Sequence, residues 1–300
     1  MARRGGACLA QAVEQVASAN REAIDAWDGV LYDRFVQYRH LVVAGLAPFG
    51  DESYRVCPPP AGARVVDLGC GFGDSTRRLA ELVGPEGHVT GIDSSARFIA
   101  TATAEAAEAG VGNVEFRVAD VQAGDLGGPY DAAYARFGTM FFANPVAALR
   151  NIRRAIAPGG TFCMVVWRRK DDNEWVPRAE AVVKGMVEEE EDSDELTCGP
   201  GPFSMANADV TSDIVLGAGF DDVSLRRSDR AWAMGSLDEA ADFAMALGPA
   251  GEAIRLAGDQ AEELRPQIAA AVRDALRDLD GGDGVVSRTS TWIVTARNPV

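Results

Sequence analysis

Histidine is nearly missing: the 300 residues contain two, His40 and His88. That leaves little material for a histidine-based metal centre. The five cysteines (Cys8, Cys57, Cys70, Cys163, Cys198) are odd in number and scattered. No Cys-x-x-Cys pair occurs, so neither a zinc site nor a disulfide framework is suggested, and no metal is expected. Positive charge is also short. Lys and Arg number 29 against 45 Asp and Glu, a net charge of −16. Phosphate binding needs a basic surface, so this balance argues against a nucleic-acid partner. The short clusters Arg153/Arg154 and Arg168/Arg169/Lys170 read as solvated helix or strand ends. No apolar run is long enough to span a bilayer, and no apolar core of signal-peptide length follows the basic start Met1–Cys8. A soluble, reducing, cytoplasmic setting is the expectation; oligomeric state is left open. Apolar residues are not lacking: at 47% they are ample for a core, in one large domain or two small ones.

What the chain does have is glycine in a telling place. Arg64-Val-Val-Asp-Leu-Gly-Cys-Gly-Phe-Gly-Asp-Ser-Thr76 reads as a buried strand (Val65, Val66, Leu68) entering a turn with Gly69, Gly71 and Gly73. A helix then opens near Asp74/Ser75, with Leu79, Ala80, Leu82 and Val83 on one face. Glycines let a backbone approach a ligand, and a helix start offers free N–H groups. The spacing is G-x-G-x-G. A dinucleotide fingerprint wants G-x-G-x-x-G, and neither register supplies it. Asp67, two residues before Gly69, would repel a pyrophosphate but suit an ammonium group, directly or through water. Asp93 follows Gly73 by twenty residues, at the end of Val89–Ile92, where a carboxylate accepts from ribose hydroxyls. A ligand with a ribose, a charged amine and no phosphate fits both; S-adenosylmethionine is one.

Strand and helix patterns alternate over 64–68, 75–83, 88–93, 95–109, 114–118, 131–135, 145–156 and 161–167, which predicts a parallel sheet with right-handed crossovers. Before it, residues 9–47 read as helices, with Trp27, Leu31, Phe35 and Tyr38 at roughly helical spacing. Pro58-Pro-Pro60 closes that region. After Trp167 the pattern loosens through the acidic run Glu188–Asp192, a solvated stretch, and Gly199-Pro-Gly-Pro202. A helix over 209–218, a strand over 223–227, a helical block over 237–279 and a strand over 289–296 complete the chain.

The segments Val65–Gly73, Gly91-Ile-Asp-Ser-Ser95, Ala119-Asp-Val121, Asp131-Ala-Ala-Tyr134 and Leu149–Gly160, in that order, resemble a class I SAM-dependent methyltransferase. Arg136-Phe-Gly-Thr-Met-Phe-Phe-Ala-Asn-Pro145, Gly199–Phe203, Leu247-Gly-Pro249 and Thr291–Arg297 resemble the UbiE-like small-molecule subgroup. The resemblance implies an α/β fold: a doubly wound, seven-stranded, mostly parallel sheet with an antiparallel last strand. It also implies an N-terminal helical lid (1–60) on a SAM-binding domain (61–300), with 170–207 and 237–284 as insertions covering the active site. Gly69, Cys70 and Gly71 would wrap the methionine end of the cofactor, with Asp67 beside them. Asp93 would take the ribose hydroxyls, and Ser94 and Phe98 would pack the adenine. Asp120 either accepts from the adenine amino group, with Val121 beside it, or caps a helix. Arg136 or Phe137 would lie where cofactor and substrate meet.

Methyl transfer from a sulfonium asks mainly for alignment and exclusion of water. A base is required only for certain acceptors. His40, in the lid region, is the candidate base or else a surface histidine; Tyr32, Tyr38 and Tyr134 are weaker candidates, and His88 is structural. Trp27, Tyr32, Phe35, Phe137, Met140, Phe141 and Phe142 form an aromatic-rich set, which would suit a flat or apolar acceptor. The competing readings are an NAD(P)-dependent oxidoreductase, disfavoured by Asp67 and the glycine spacing, and a non-catalytic SAM-binding protein.

Overall fold

The computed structural model describes residues 20–187 and 200–300. The acidic run Glu188–Asp192, Cys8 and Cys198 lie outside the described residues. Seven strands form one sheet: β1 (Arg64–Leu68), β2 (His88–Asp93), β3 (Val114–Val118), β4 (Tyr130–Arg136), β5 (Ile156–Trp167), β6 (Asp221–Ala233) and β7 (Val286–Arg297). Their spatial order is β3-β2-β1-β4-β5-β7-β6. The first five run parallel, and β7 runs antiparallel to both β5 and β6. The strand order reverses between β1 and β4. That crevice is where ligands bind in open α/β sheets.

β1 has Val65, Val66, Asp67 and Leu68 all buried, which is why it reads as a continuous apolar run rather than an alternation. Helices α1 (Val30–Gln37) and α2 (Arg39–Val56) precede it, and residues 20–28 are also helical. The crossovers are α3 (Asp74–Val83), α4 (Ala96–Glu108) and α5 (Pro145–Ala155). Ser95 caps α4, its hydroxyl accepting from Phe98 N at 3.2 Å. The last part carries α6 (Trp175–Lys184), α7 (Ala208–Gly217), α8 (Leu237–Ala246), α9 (Gly248–Leu256) and α10 (Gly258–Leu276).

Several boundaries move from their expected places. α2 does not stop before Pro48 but carries it inside the helix and runs on to Val56. β5 starts at Ile156, before Pro158-Gly-Gly160, and a register shift between Tyr130 and Ala132 of β4 absorbs that stretch. β6 and β7 are far longer than 223–227 and 289–296. They pair continuously from Ser224↔Thr295 to Ala233↔Val286 and so run past the rest of the sheet.

That overhang carries a second core. Around the sheet, Val65, Ile92, Leu149, Phe162 and Ile293 belong to one buried cluster. Trp175, Val183, Trp232, Phe243, Ile268 and Val272 form another, joined by Tyr38, Leu41 and Val42. α2 ties the two together, because Phe49 and Tyr54 further along it sit in the sheet core. Gly45 makes the junction possible. A Cβ there would stand 2.1 Å from the Trp232 indole, whose Nε1 donates to Leu41 O at 3.1 Å.

Candidate active site

A cavity of about 730 Å³ opens at the carboxyl ends of β1, β2 and β4. Small-molecule sites run from roughly 300 to 1,000 Å³, so there is space for more than one small ligand. Its floor is the glycine loop and the strand ends. Its roof comes from residues 20–46, α6, the segment 200–204 and the α8–α9 region.

The loop after β1 is built for close approach. Gly69 N and Cys70 N both donate to Ile92 O, at 2.8 and 3.1 Å, which fastens the turn to β2. Gly71 has φ +54, and a Cβ on it would meet no atom within 4 Å, so a side chain there would fill the open cradle. Gly69, Cys70, Gly71, Asp93, Ser94, Phe98, Asp120, Val121 and Arg136 all line the cavity.

Asp67 does not line it. Its buried Oδ2 accepts from Ser75 Oγ and Thr76 Oγ1, each at 2.7 Å. The carboxylate is turned to the first turn of α3 and locks that helix start to β1, so the expected neighbour of the cofactor's ammonium is a support of the loop. Burial raises its pKa, and the two hydroxyls and Arg136 pull the other way.

Asp93 splits its oxygens. Oδ2 accepts from Gly71 N and Oδ1 from Ser95 N, both at 2.9 Å. Burial lifts its pKa above the usual carboxylate value, against the backbone N–H groups of Ser95, Gly71 and Ser94. Each oxygen keeps a lone pair for a ligand hydroxyl. Asp120 caps no helix. It shapes a turn: Oδ1 accepts from Gln122 N at 2.8 Å and its carbonyl from Gly124 N at 2.6 Å, while Asn20 donates to Oδ2 at 2.7 Å.

Past β4 the chain is strained. Phe137 has φ +61, a left-handed conformation that costs a bulky residue about 1–3 kcal/mol. It stacks near Trp167 at 4.4 Å and leaves Gly138 packed against Gly69, where a Cβ on Gly69 would stand 3.2 Å from Gly138 Cα.

Of the expected aromatic set, Trp27, Phe35, Phe137, Met140, Phe141 and Phe142 line the cavity. Trp27 meets Phe35 and Phe141 edge-on, at 5.3 and 4.9 Å. Tyr32 does not line it. Its ring packs on Phe98 and its hydroxyl pairs with Thr101 Oγ1 at 2.7 Å, which fixes α1 to α4. Sequence reasoning missed Trp167, Trp175, Trp232 and Phe243, which line the cap side. Trp167 ends β5, so the strand-end rule that found Asp93 could have found it. The others come from α6, α8 and the long β6, with no local signal.

His40 is not in the cavity. Its side chain is 61% exposed and pairs with Glu239 of α8 at 2.6 Å. With about 3.6 residues per turn, position 40 falls off the face that Leu31 and Phe35 share, whereas Val42 and Leu46 carry that face on into the cavity. Tyr38 is buried in the second core, and Tyr134 donates to Cys57 O at 2.7 Å; neither lines the cavity. His88 opens β2 at the opposite end of the strand. His40→Ala should therefore reduce turnover less than about tenfold in a steady-state assay, whereas loss of a true base costs about 10²–10⁴-fold. No group of three or more His, Cys, Asp or Glu that could hold a metal occurs among the described residues, and none of their helices is long and apolar enough to cross a membrane.

A doubly wound sheet with a glycine cradle and two strand-end carboxylates defines a nucleoside-cofactor site. Residues 60–213 match the family model of the methyltransferase domain, and the chain belongs to that family, the class I SAM-dependent methyltransferases of the UbiE-like kind. S-adenosylmethionine is the family's cofactor. The chain is 34% identical over 146 residues to trans-aconitate 2-methyltransferase of Streptomyces avermitilis, covering 48% of this chain and 52% of that protein. It is 32% identical over 124 residues to aklanonic acid methyltransferase DauC of a Streptomyces species, covering 41% and 56%. The chain thus spans about half the length of these relatives. The crystal structure of the YcgJ protein from Bacillus subtilis shares the fold, with a TM-score of 0.56 at 14% identity, over 85% of this chain and 99% of that one.

Proposed function

We propose that the protein transfers the methyl group of S-adenosylmethionine to a flat or apolar small-molecule acceptor. The observation that carries this reading is one continuous cavity with two chemistries. Gly71, Asp93 and Asp120 line its polar floor, and Trp27, Phe141, Trp167 and Trp175 line its walls. The floor fits the cofactor: an open left-handed glycine for the methionine end, Asp93 for the ribose hydroxyls, Asp120 and Val121 for the adenine, and Gly69, Cys70, Ser94 and Phe98 around them. A pyrophosphate would face Asp74, Asp93 and Asp120, which disfavours the oxidoreductase reading. When bound, the cofactor supplies a methyl group on a positively charged sulfur, with a good leaving group behind it.

The chain's own part is to align and to exclude water. Positioning alone can lower a barrier by about 7–11 kcal/mol. The lid proposed for 1–60 is carried, among the described residues, by 20–60, on the domain 61–300, with 170–187, 200–207 and 237–284 as the remaining cover. The charge of −16 and the free thiols at Cys57, Cys70 and Cys163 support a small-molecule partner rather than nucleic acid, and a reducing, cytoplasmic setting.

Calorimetry separates the readings. The protein should bind S-adenosylmethionine and ignore NAD(H), and should release S-adenosylhomocysteine when given metabolite extracts. Binding of NAD(H) alone would overturn the assignment. Cofactor binding with no product from any extract would leave the non-catalytic reading in its place.

A further inference from the structure

Arg136 is a largely buried cavity cation whose charge the cofactor reading does not use. It stands at the carboxyl end of β4, between the glycine loop and the aromatic wall begun by Phe137. Its side chain is 13% exposed. The guanidinium commits Nη2 to Asp74 Oδ2 at 2.5 Å. An arginine carries five N–H donors in a fixed fork. Among the described residues, the buried polar side-chain atoms without a partner are Arg168 Nε and Trp175 Nε1. The other Arg136 donors are therefore not sealed in protein; they reach the cavity that the residue lines.

Its surroundings keep that fork in place. Gly50 of α2 makes room, since a Cβ there would stand 3.3 Å from Arg136 Cδ and 3.6 Å from Nη1. Tyr54 is kept neutral by burial, which drives its pKa far above the ordinary value. Asp67 feels the same positive charge, but its Oδ2 is already held by two hydroxyls. A half-used, desolvated guanidinium favours an anion with planar oxygens over any neutral group.

We propose that Arg136 reads the acceptor, and that the acceptor presents a deprotonated oxygen, as in a carboxylic acid, an acidic phenol or an enol. This rests on the methyl-transfer reading above. It also accounts for a cavity that no histidine or tyrosine lines among the described residues. The acceptor oxygen's lone pair forms the O–CH₃ bond as the CH₃–S⁺ bond breaks and its electron pair returns to sulfur. A cation and an anion become two neutral products, and no proton remains to be removed.

The test is binding, with 2-naphthoate and 2-naphthamide as probes, in calorimetry on protein saturated with S-adenosylhomocysteine. The wild type should bind the naphthoate at least about tenfold tighter than the amide, as one charge-assisted hydrogen bond suffices to give. Arg136→Gln should bring that ratio to about one while S-adenosylhomocysteine affinity stays within about threefold. Asp74→Asn, which removes the competing carboxylate, should strengthen naphthoate binding and not amide binding; it decides the matter if Arg136→Gln does not fold. The proposal is overturned if the wild type binds naphthoate no tighter than the amide, or not at all. It is also overturned if Arg136→Gln keeps the ratio, whether it loses only thermal stability or loses S-adenosylhomocysteine affinity; the latter would make Arg136 a cofactor contact. Failure of the wild type to bind S-adenosylhomocysteine would instead remove the methyl-transfer reading itself.

Discussion

Asp93→Ala is expected to weaken S-adenosylmethionine binding by at least about tenfold, and calorimetry on the folded variant measures it. Hydrogen bonds to a charged acceptor are each worth roughly 1.5–3 kcal/mol, and about 1.4 kcal/mol is a factor of ten. The ribose would lose its acceptors. The loop would lose more, because the same carboxylate anchors Gly71 N and Ser95 N. Asp93→Asn is the sharper variant. It keeps one acceptor for Ser95 N but turns an NH₂ group toward Gly71 N, so the cradle is disturbed at constant size. Acid should act in the same direction. Burial holds the Asp93 carboxyl above the usual range, so it takes up a proton earlier on acidification than an exposed aspartate does. Cofactor affinity should fall as pH drops through that raised value. Unchanged binding in a folded Asp93→Ala protein would sink the assignment of this carboxylate to the ribose.

The position of Asp93 was legible in the sequence because it is set by topology. A carboxylate at the end of an apolar run, twenty residues past a glycine turn, lands at the carboxyl edge of the sheet whatever the rest of the chain does. Asp120 and Arg136 follow the same rule. Asp67 shows the limit of that rule. It too sits near a strand end, but its direction was decided by two hydroxyls in the first turn of α3, and spacing does not say which side of the loop a carboxylate faces. His40 fails for a related reason. Membership of a helical region does not place a residue on its inward face: Val42 and Leu46 follow Phe35 into the cavity, and His40 stands on another side of α2. Its partner Glu239 lies 199 residues away, beyond any local pattern. The lengths of β6 and β7 were hidden by their polar residues. Ser228, Ser290 and Thr291 are buried in the sheet through hydrogen bonds, such as Ser290 Oγ to Asp229 Oδ1 at 2.6 Å, so alternation of hydrophobicity underestimates the strands. Trp232 lies on that overhang and was lost with it.

Removing residues 1–37 should leave a folded protein that binds cofactor weakly and turns over more than about a hundredfold slower, as single-turnover methyl transfer to an acceptor would show. The cut falls between α1 and α2. It spares Leu41 and Val42 in the second core and Phe49 and Tyr54 in the first, so both clusters keep their anchor on α2. What it strips away is the wall made by Asn20, Ala23, Ile24, Trp27, Leu31 and Phe35, which opens the polar floor to water. This segment meets the start of α4 through side chains. Asp28 Oδ1 accepts from Ser95 Oγ at 2.6 Å and from Arg97 N at 3.0 Å, and Arg97 Nη2 donates to Asp33 Oδ1 at 2.6 Å. Such contacts suit a cover that can lift. The Arg97 backbone N–H and the Ser95 hydroxyl hold the Asp28 carboxyl below its ordinary pKa. A depressed carboxylate contributes its stabilisation above the unfolded value, about 3.9, and loses it as pH falls through the lower folded value. Closure should accordingly weaken in acid below about pH 4 and not in alkali. Hydrogen exchange reports it directly: amides in 20–37 should gain protection when S-adenosylhomocysteine is added at neutral pH. Equal exchange with and without cofactor, or full turnover after the deletion, would show that these helices are fixed packing and that the site is closed by α6 and α9 instead.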